Sequence, residues 1–90
     1  MSYKLKTTKE FDKALKKLDR SVQRLILSYL KKNIDGTDNP RARGKGLVGN
    51  YSGLWRYRIA DYRVLCDIRE NELIVIAIDV GHRKEIYKHP

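Results

Sequence analysis

Six cations stand between positions 41 and 63 against a single acid: Arg41, Arg43, Lys45, Arg56, Arg58 and Arg63, with Asp61. The densest stretch is Trp55-Arg56-Tyr57-Arg58-Ile59-Ala60-Asp61-Tyr62-Arg63-Val64-Leu65. Its alternation of arginine with aromatic or apolar residues has the period of a strand, so Arg56 and Arg58 share a face roughly 7 Å apart. Like charges at that spacing repel, and an anion gripped by both relieves the repulsion. Guanidinium holds phosphate through paired N–H donors, which makes a phosphodiester the natural anion. A merely solvated charged face is the competing reading of the same pattern. A second cluster, Gly81-His82-Arg83-Lys84-Glu85-Ile86-Tyr87-Lys88, follows the last apolar run. Imidazole titrates near neutrality, and tyrosine offers a stacking face and a hydroxyl. At the sheet edge, His82, Arg83 and Tyr87 are expected to face the Arg56–Arg58 surface.

These residues need a scaffold, and the hydrophobic periods supply one. Tyr3–Thr7 alternates as a short first strand. Phe11, Ala14, Leu15 and Leu18 then recur at helical spacing behind Thr8, which forms half a capping box, with Lys13, Lys16, Lys17 and Arg20 on the other face. Ser21 reads as the N-cap of a second helix carrying Val22, Leu25, Ile26, Tyr29 and Leu30, and the short Asp19-Arg20-Ser21 junction makes the pair an αα-hairpin. Asn33–Gly46, rich in Gly, Asp, Asn and Pro, reads as a loop. Leu54–Ile59, Tyr62–Ile68 and Leu73–Val80 follow as strands joined by turns at Ala60-Asp61 and Glu70-Asn71. Gly81 is expected to break the last strand, leaving a tail or one helical turn. The expected fold is α+β: β-α-α-β-β-β, two helices on one face of a mostly antiparallel four-stranded sheet.

Length and composition narrow the partners. Ninety residues allow one domain, 1–90, and 20 Lys+Arg against 11 Asp+Glu give a net charge of +9. Such a surface attracts polyanions. No apolar run reaches the roughly 20 residues that cross a bilayer, and the Met-Ser-Tyr-Lys start lacks an apolar signal region, so a cytoplasmic protein is expected. Cys66 is the sole cysteine, which excludes an intrachain disulfide framework and a multi-cysteine zinc site. Cys66, Trp55, Tyr57 and Phe11 all read as core by their period.

The element order, the Trp-Arg-Tyr-Arg-Ile-x-Asp-Tyr-Arg-Val stretch and the closing Gly-His-Arg-Lys-Glu-Ile-Tyr together resemble the RelE/ParE superfamily of bacterial type II toxins, the RelE branch best. That resemblance covers nearly the whole chain and implies a microbial-ribonuclease-like fold. It further implies a metal-independent endoribonuclease without a cofactor, which enters the ribosomal A site, cuts mRNA and inhibits translation. The implied partners are the 70S ribosome, mRNA and an acidic RelB-like antitoxin, with a monomeric free toxin and a heterotetrameric complex. By the same resemblance Arg58, Arg63 and Arg83 stabilise the phosphate, Tyr87 stacks on a base, and Arg56 holds RNA backbone alongside Arg41, Arg43 and Lys45.

The resemblance leaves the proton acceptor open. Relatives often carry lysine where this chain has Arg56 or Arg58, and arginine does not deprotonate. His82 and Glu85 are candidates, as is a site that works by orienting the 2′-hydroxyl without a strong base. Two other functions share the fold: a ParE-like toxin that poisons DNA gyrase, and a basic nucleic-acid-binding module without catalysis.

Overall fold

The computed structural model describes residues 1–86. They order as β1 (Lys4–Thr7), α1 (Lys9–Lys16), α2 (Arg20–Asn33), β2 (Lys45–Gly46), a 3-10 turn (Gly49–Tyr51), β3 (Trp55–Ile59), β4 (Tyr62–Arg69) and β5 (Ile74–His82). The strands form one sheet in the order β1-β5-β4-β3-β2. Only β1 and β5 run parallel; the other pairs are antiparallel. The α+β class is as expected, but the sheet has five strands where four were expected. The additional strand is β2, at the end of the stretch read as loop. Two residues are too few to show alternation, and one of them is glycine, which is depleted in strands.

Thr8 starts α1. Its Oγ1 accepts from the Phe11 N–H at 3.1 Å and donates to the Ile78 carbonyl at 3.3 Å, so the cap also fastens the helix to β5. Phe11 and Leu15 turn into the core, while Leu18 lies beyond the helix end and still packs against the core. The second helix begins two residues earlier than expected. Asp19, not Ser21, is its N-cap residue; the Asp19 carbonyl accepts from Gln23 N–H at 2.9 Å, and the Gln23 side chain donates to Leu18 O at 2.8 Å. That glutamine ties the αα-hairpin connection, a role its spacing alone does not announce.

The core face of the sheet is set by register. Tyr57 pairs with Val64, Val64 with Val80, Cys66 with Ala77, and Ile68 with Val75. Against them lie Phe11, Ile26, Leu30 and Ile34, all essentially inaccessible. Each such side chain contributes about 1.5–3 kcal/mol by burial. Ile78 is an extra residue in β5, a bulge opposite the Leu65–Cys66 step, and it shifts the inward phase from Ala77 to Val80. β5 also continues through Gly81 to His82 instead of breaking there. The outer edge of β1 is covered, since Tyr3 and Gly36–Thr37 exchange backbone hydrogen bonds and Asp35 accepts from Leu5 N–H at 3.1 Å. Among the described residues no helix is long and apolar enough to cross a membrane.

Burial pushes the Cys66 thiol from 9.0 up to about 12 and also raises the Tyr57 hydroxyl. Above the unfolded-state value the unfolded chain sheds protons that the native chain keeps, so stability falls as pH rises. Urea denaturation is therefore expected to give a constant unfolding free energy between about pH 7 and 8 and a decline above about pH 9. Cys66→Ala should make that decline shallower; an unchanged slope would contradict the assignment.

Candidate nucleic-acid interface

Because Tyr57 and Ile59 point into the core, Arg56 and Arg58 emerge on the opposite face of β3. Arg58 stands directly across from Arg63 on β4, and Arg56 lies between Lys45 on β2 and Leu65 on β4. Residues opposed across antiparallel strands share a face, with Cβ atoms about 4.5–5.5 Å apart. Lys45, Arg56, Arg58 and Arg63 thus make two like-charge cross-strand pairs on one side of the sheet. On β5, Gly81 sits opposite Arg63. A Cβ there would meet Ile86 Cδ1 at 3.3 Å, so Gly81 lets Ile86 fold down onto this face. Ile86 and Leu65 are buried outside the main core and floor a hollow of about 510 Å³, whose walls include Lys13, Lys17, Tyr51 and Leu54.

Three arginines gather at the β3–β4 turn. Arg63 is 9% exposed, and its Nη1 donates to the Tyr62 carbonyl at 3.2 Å and to the Ala60 carbonyl at 3.5 Å. Those contacts brace a turn in which Ala60 takes a left-handed φ of 53°. The Asp61 carbonyl accepts from Arg83 N–H at 2.8 Å, which seats the start of the C-terminal segment beside Arg58 and Arg63. Glu85 and Ile86 N–H groups then both bond to His82 O, closing a hydrogen-bonded turn where a tail or one helical turn was expected. Arg58 is the exposed member of its pair, and Arg63 stands behind it as a braced charge.

His82 is not with them. Its register partner is Tyr62, so the same alternation that turns Gly81 toward the arginines turns His82 to the helix-side face. There its ring meets Tyr62 edge-on with centroids 5.6 Å apart. Its Nδ1 accepts from Lys84 N–H at 3.2 Å, which leaves the proton of the neutral ring on Nε2 and no open lone pair. The expectation that His82 faces the Arg56–Arg58 surface is corrected by the bulge at Ile78, which sets the phase of everything after it. Glu85 is exposed in the closing turn. Tyr87 lies outside the described residues.

The loop cations divide. Arg41 is already engaged: Nη1 lies 2.7 Å from Glu70 Oε1, and its guanidinium sits 5.6 Å from the Trp55 ring centroid. Arg43 and Lys45 are exposed. Sequence reasoning missed this pairing because residues 41 and 70 meet only once β2, β3 and β4 are laid side by side. Arg63→Ala is expected to cost about 1–3 kcal/mol of unfolding free energy, since it removes a charged donor from two part-buried turn carbonyls. Arg58→Ala should stay within about 0.5 kcal/mol of the parent. Equal losses by urea denaturation would deny Arg63 its bracing role.

Two helices packed on a five-stranded sheet is a fold shared with chains of solved toxin–antitoxin complexes. The superposition on a chain of the RelBE2 toxin–antitoxin complex from Mycobacterium tuberculosis has a TM-score of 0.83 at 23% identity, covering 92% of this chain and 100% of that one. A chain of the archaeal RelE–RelB complex from Pyrococcus horikoshii gives 0.72 at 26% identity, covering 94% and 99%. Isolated Escherichia coli RelE gives 0.70 at 20%, covering 90% and 84%. A curated Escherichia coli protein named as a RelE-like toxin is 27% identical over 84 residues, 93% of this chain and 86% of that one. The family model described as the ParE toxin of type II toxin-antitoxin systems, parDE, matches residues 5–87. The chain belongs to this family, within the RelE/ParE superfamily of type II toxins.

Proposed function

We propose that this toxin is a ribosome-dependent mRNA endonuclease of the RelE kind, cutting mRNA in the ribosomal A site and held inactive by a cognate antitoxin. The observation that carries the reading is the opposed Arg58–Arg63 pair, with Arg83 tethered to the same turn. Cleavage without a metal proceeds when the ribose 2′-oxygen attacks the adjacent phosphorus and gives up its proton. The 5′-oxygen leaves and gains one, yielding a 2′,3′-cyclic phosphate and a free 5′-hydroxyl. Negative charge builds on the phosphoryl oxygens in between, and fixed guanidinium donors stabilise it. Arg58 is the contacting group and Arg63 the charge behind it. Arg83 completes the cluster, Arg56 and Lys45 hold the neighbouring backbone, and the hollow at Leu65 floors a base attached to the gripped phosphate. Tyr87 keeps its expected stacking role.

With His82 on the other face, the reading rests on orientation and charge, and Glu85, exposed in the closing turn, is the remaining candidate proton acceptor among the described residues. A site that works by orientation depends on its substrate arriving in line, and the decoding site of a ribosome supplies a held, extended mRNA. In cleavage assays on ribosome-bound mRNA, Arg58→Ala is expected to lose about 10²–10³-fold in rate, while His82→Ala stays within a few-fold of the parent. Full activity in Arg58→Ala would sink the proposal.

The family model's description favours a second reading, a ParE-like toxin acting on DNA gyrase. Gyrase inhibition by the purified protein with no cutting of translated mRNA would select it. Under either reading the partner is an acidic antitoxin segment that covers the +9 surface, as the RelB chains accompany the relatives above. Toxin–antitoxin affinity should weaken as salt rises from about 0.1 to 1 M, where the screening length shrinks from about 10 to 3 Å. A salt-independent affinity would argue against charge as the basis of pairing.

A further inference from the structure

Trp55 and Tyr57 lie on β3 with the core-facing residues, yet both spend their polar atoms on the preceding loop. The Tyr57 hydroxyl, fully buried, donates to the Pro40 carbonyl at 2.5 Å. The Trp55 indole N–H donates to the Arg43 carbonyl at 2.7 Å. Between them, Gly44 has φ +82° and lies so close to β3 that a Cβ would come within 2.3 Å of the Arg56 carbonyl oxygen and 2.6 Å of the indole nitrogen. Arg41 closes the arrangement from outside by stacking on Trp55 and pairing with Glu70. The loop is therefore pinned at Pro40, Arg43 and Gly44, and its exposed cations Arg43 and Lys45 leave it at fixed points. Lys45 is the register partner of Arg56, so the loop runs into the line of cations that ends at Arg58 and Arg63.

We propose that Trp55 and Tyr57 are positioning residues that clamp the Pro40–Lys45 loop, so that Arg43 and Lys45 form a preset track for the phosphodiester backbone of single-stranded RNA leading to Arg58. The proposal rests on the RNA-cleaving reading above and adds to it residues that touch no substrate. A loop ordered before binding loses less conformational freedom on binding, so its charges deliver more of their attraction. Arg41, engaged with Glu70 and Trp55, belongs to the clamp and not to the track.

The clamp can be tested without altering charge. Tyr57→Phe removes one hydroxyl, and Trp55→Phe removes the indole N–H; neither changes the number of cations. Binding of a single-stranded oligouridine to the full chain is measured by fluorescence anisotropy across a salt series, with core amide exchange confirming that each variant is folded. The slope of log affinity against log salt reports phosphate contacts at about 0.7 each for single strands. Both variants are expected to lose about 0.7–1.4 from that slope, one or two contacts. Added to an Arg43→Ala/Lys45→Ala background, Tyr57→Phe should change the slope no further. A parental slope in both single variants overturns the positioning role, as does a further loss in the double-alanine background. A wild-type protein that shows no salt-dependent binding at all overturns the RNA reading itself.

Discussion

A one-residue slip of β3 against β4 would carry Arg56 and Arg58 into the core and Tyr57 and Ile59 out to water. The register that prevents this is held from the apolar side, where Tyr57, Val64, Val80, Cys66 and Ala77 interlock against Phe11 and Ile26. It is held against a cost on the other side. Opposed like charges across a strand pair destabilise by about 0.2–1 kcal/mol, while each large side chain buried opposite them contributes about 1.5–3. Burial wins, and the fold keeps its arginines in an arrangement that an anion improves. The cationic face follows from the core packing and not from any attraction among the cations.

The strongly periodic parts were legible in the residues. Phe11 and Leu15 marked α1, the Trp55–Ile59 alternation marked β3 and its two faces, and the Ala60-Asp61 turn fell where it was expected. Arg56, Arg58 and Arg63 were brought to one face as their spacing implied, because period two leaves little choice once one face is apolar. Three features had no local signal. β2 is too short to alternate. Gln23 ties the helix connection through a contact set by the hairpin's geometry. The bulge at Ile78 sits at the end of the apolar run Leu73–Ile78, within which period two cannot be read, and it decides that His82 and Gly81 face as they do. Trp55 and Tyr57 were read correctly as apolar in placement, but a hydrogen-bonding tip on a buried aromatic shows only when its partner is known.

Charge and brace are separated within the arginines. Arg58 and Arg83 are exposed, Arg63 is folded back onto turn carbonyls, and Arg41 is paired with Glu70. A count of positive residues treats these alike, although Arg41 and Arg63 already spend donors within the fold. The same division explains how a protein of net charge +9 can be specific. Its long-range field draws in any polyanion, while the short-range fit rests on the few side chains whose backbone is fixed by the sheet and the β3–β4 turn.

The supernumerary residue at position 78 settles which side chains after it fall on each face. Thr8 is bound to its carbonyl, so α1 is docked where the strand changes phase. Were residue 78 taken into the ladder, period two would turn Asp79 into the core, Val80 out to water and His82 toward the guanidinium side; left out as a bulge, it keeps Val80 inward and Gly81 beside Arg63. One unpaired residue thus reconciles an apolar strand with the acid at position 79 and keeps imidazole off the cationic side.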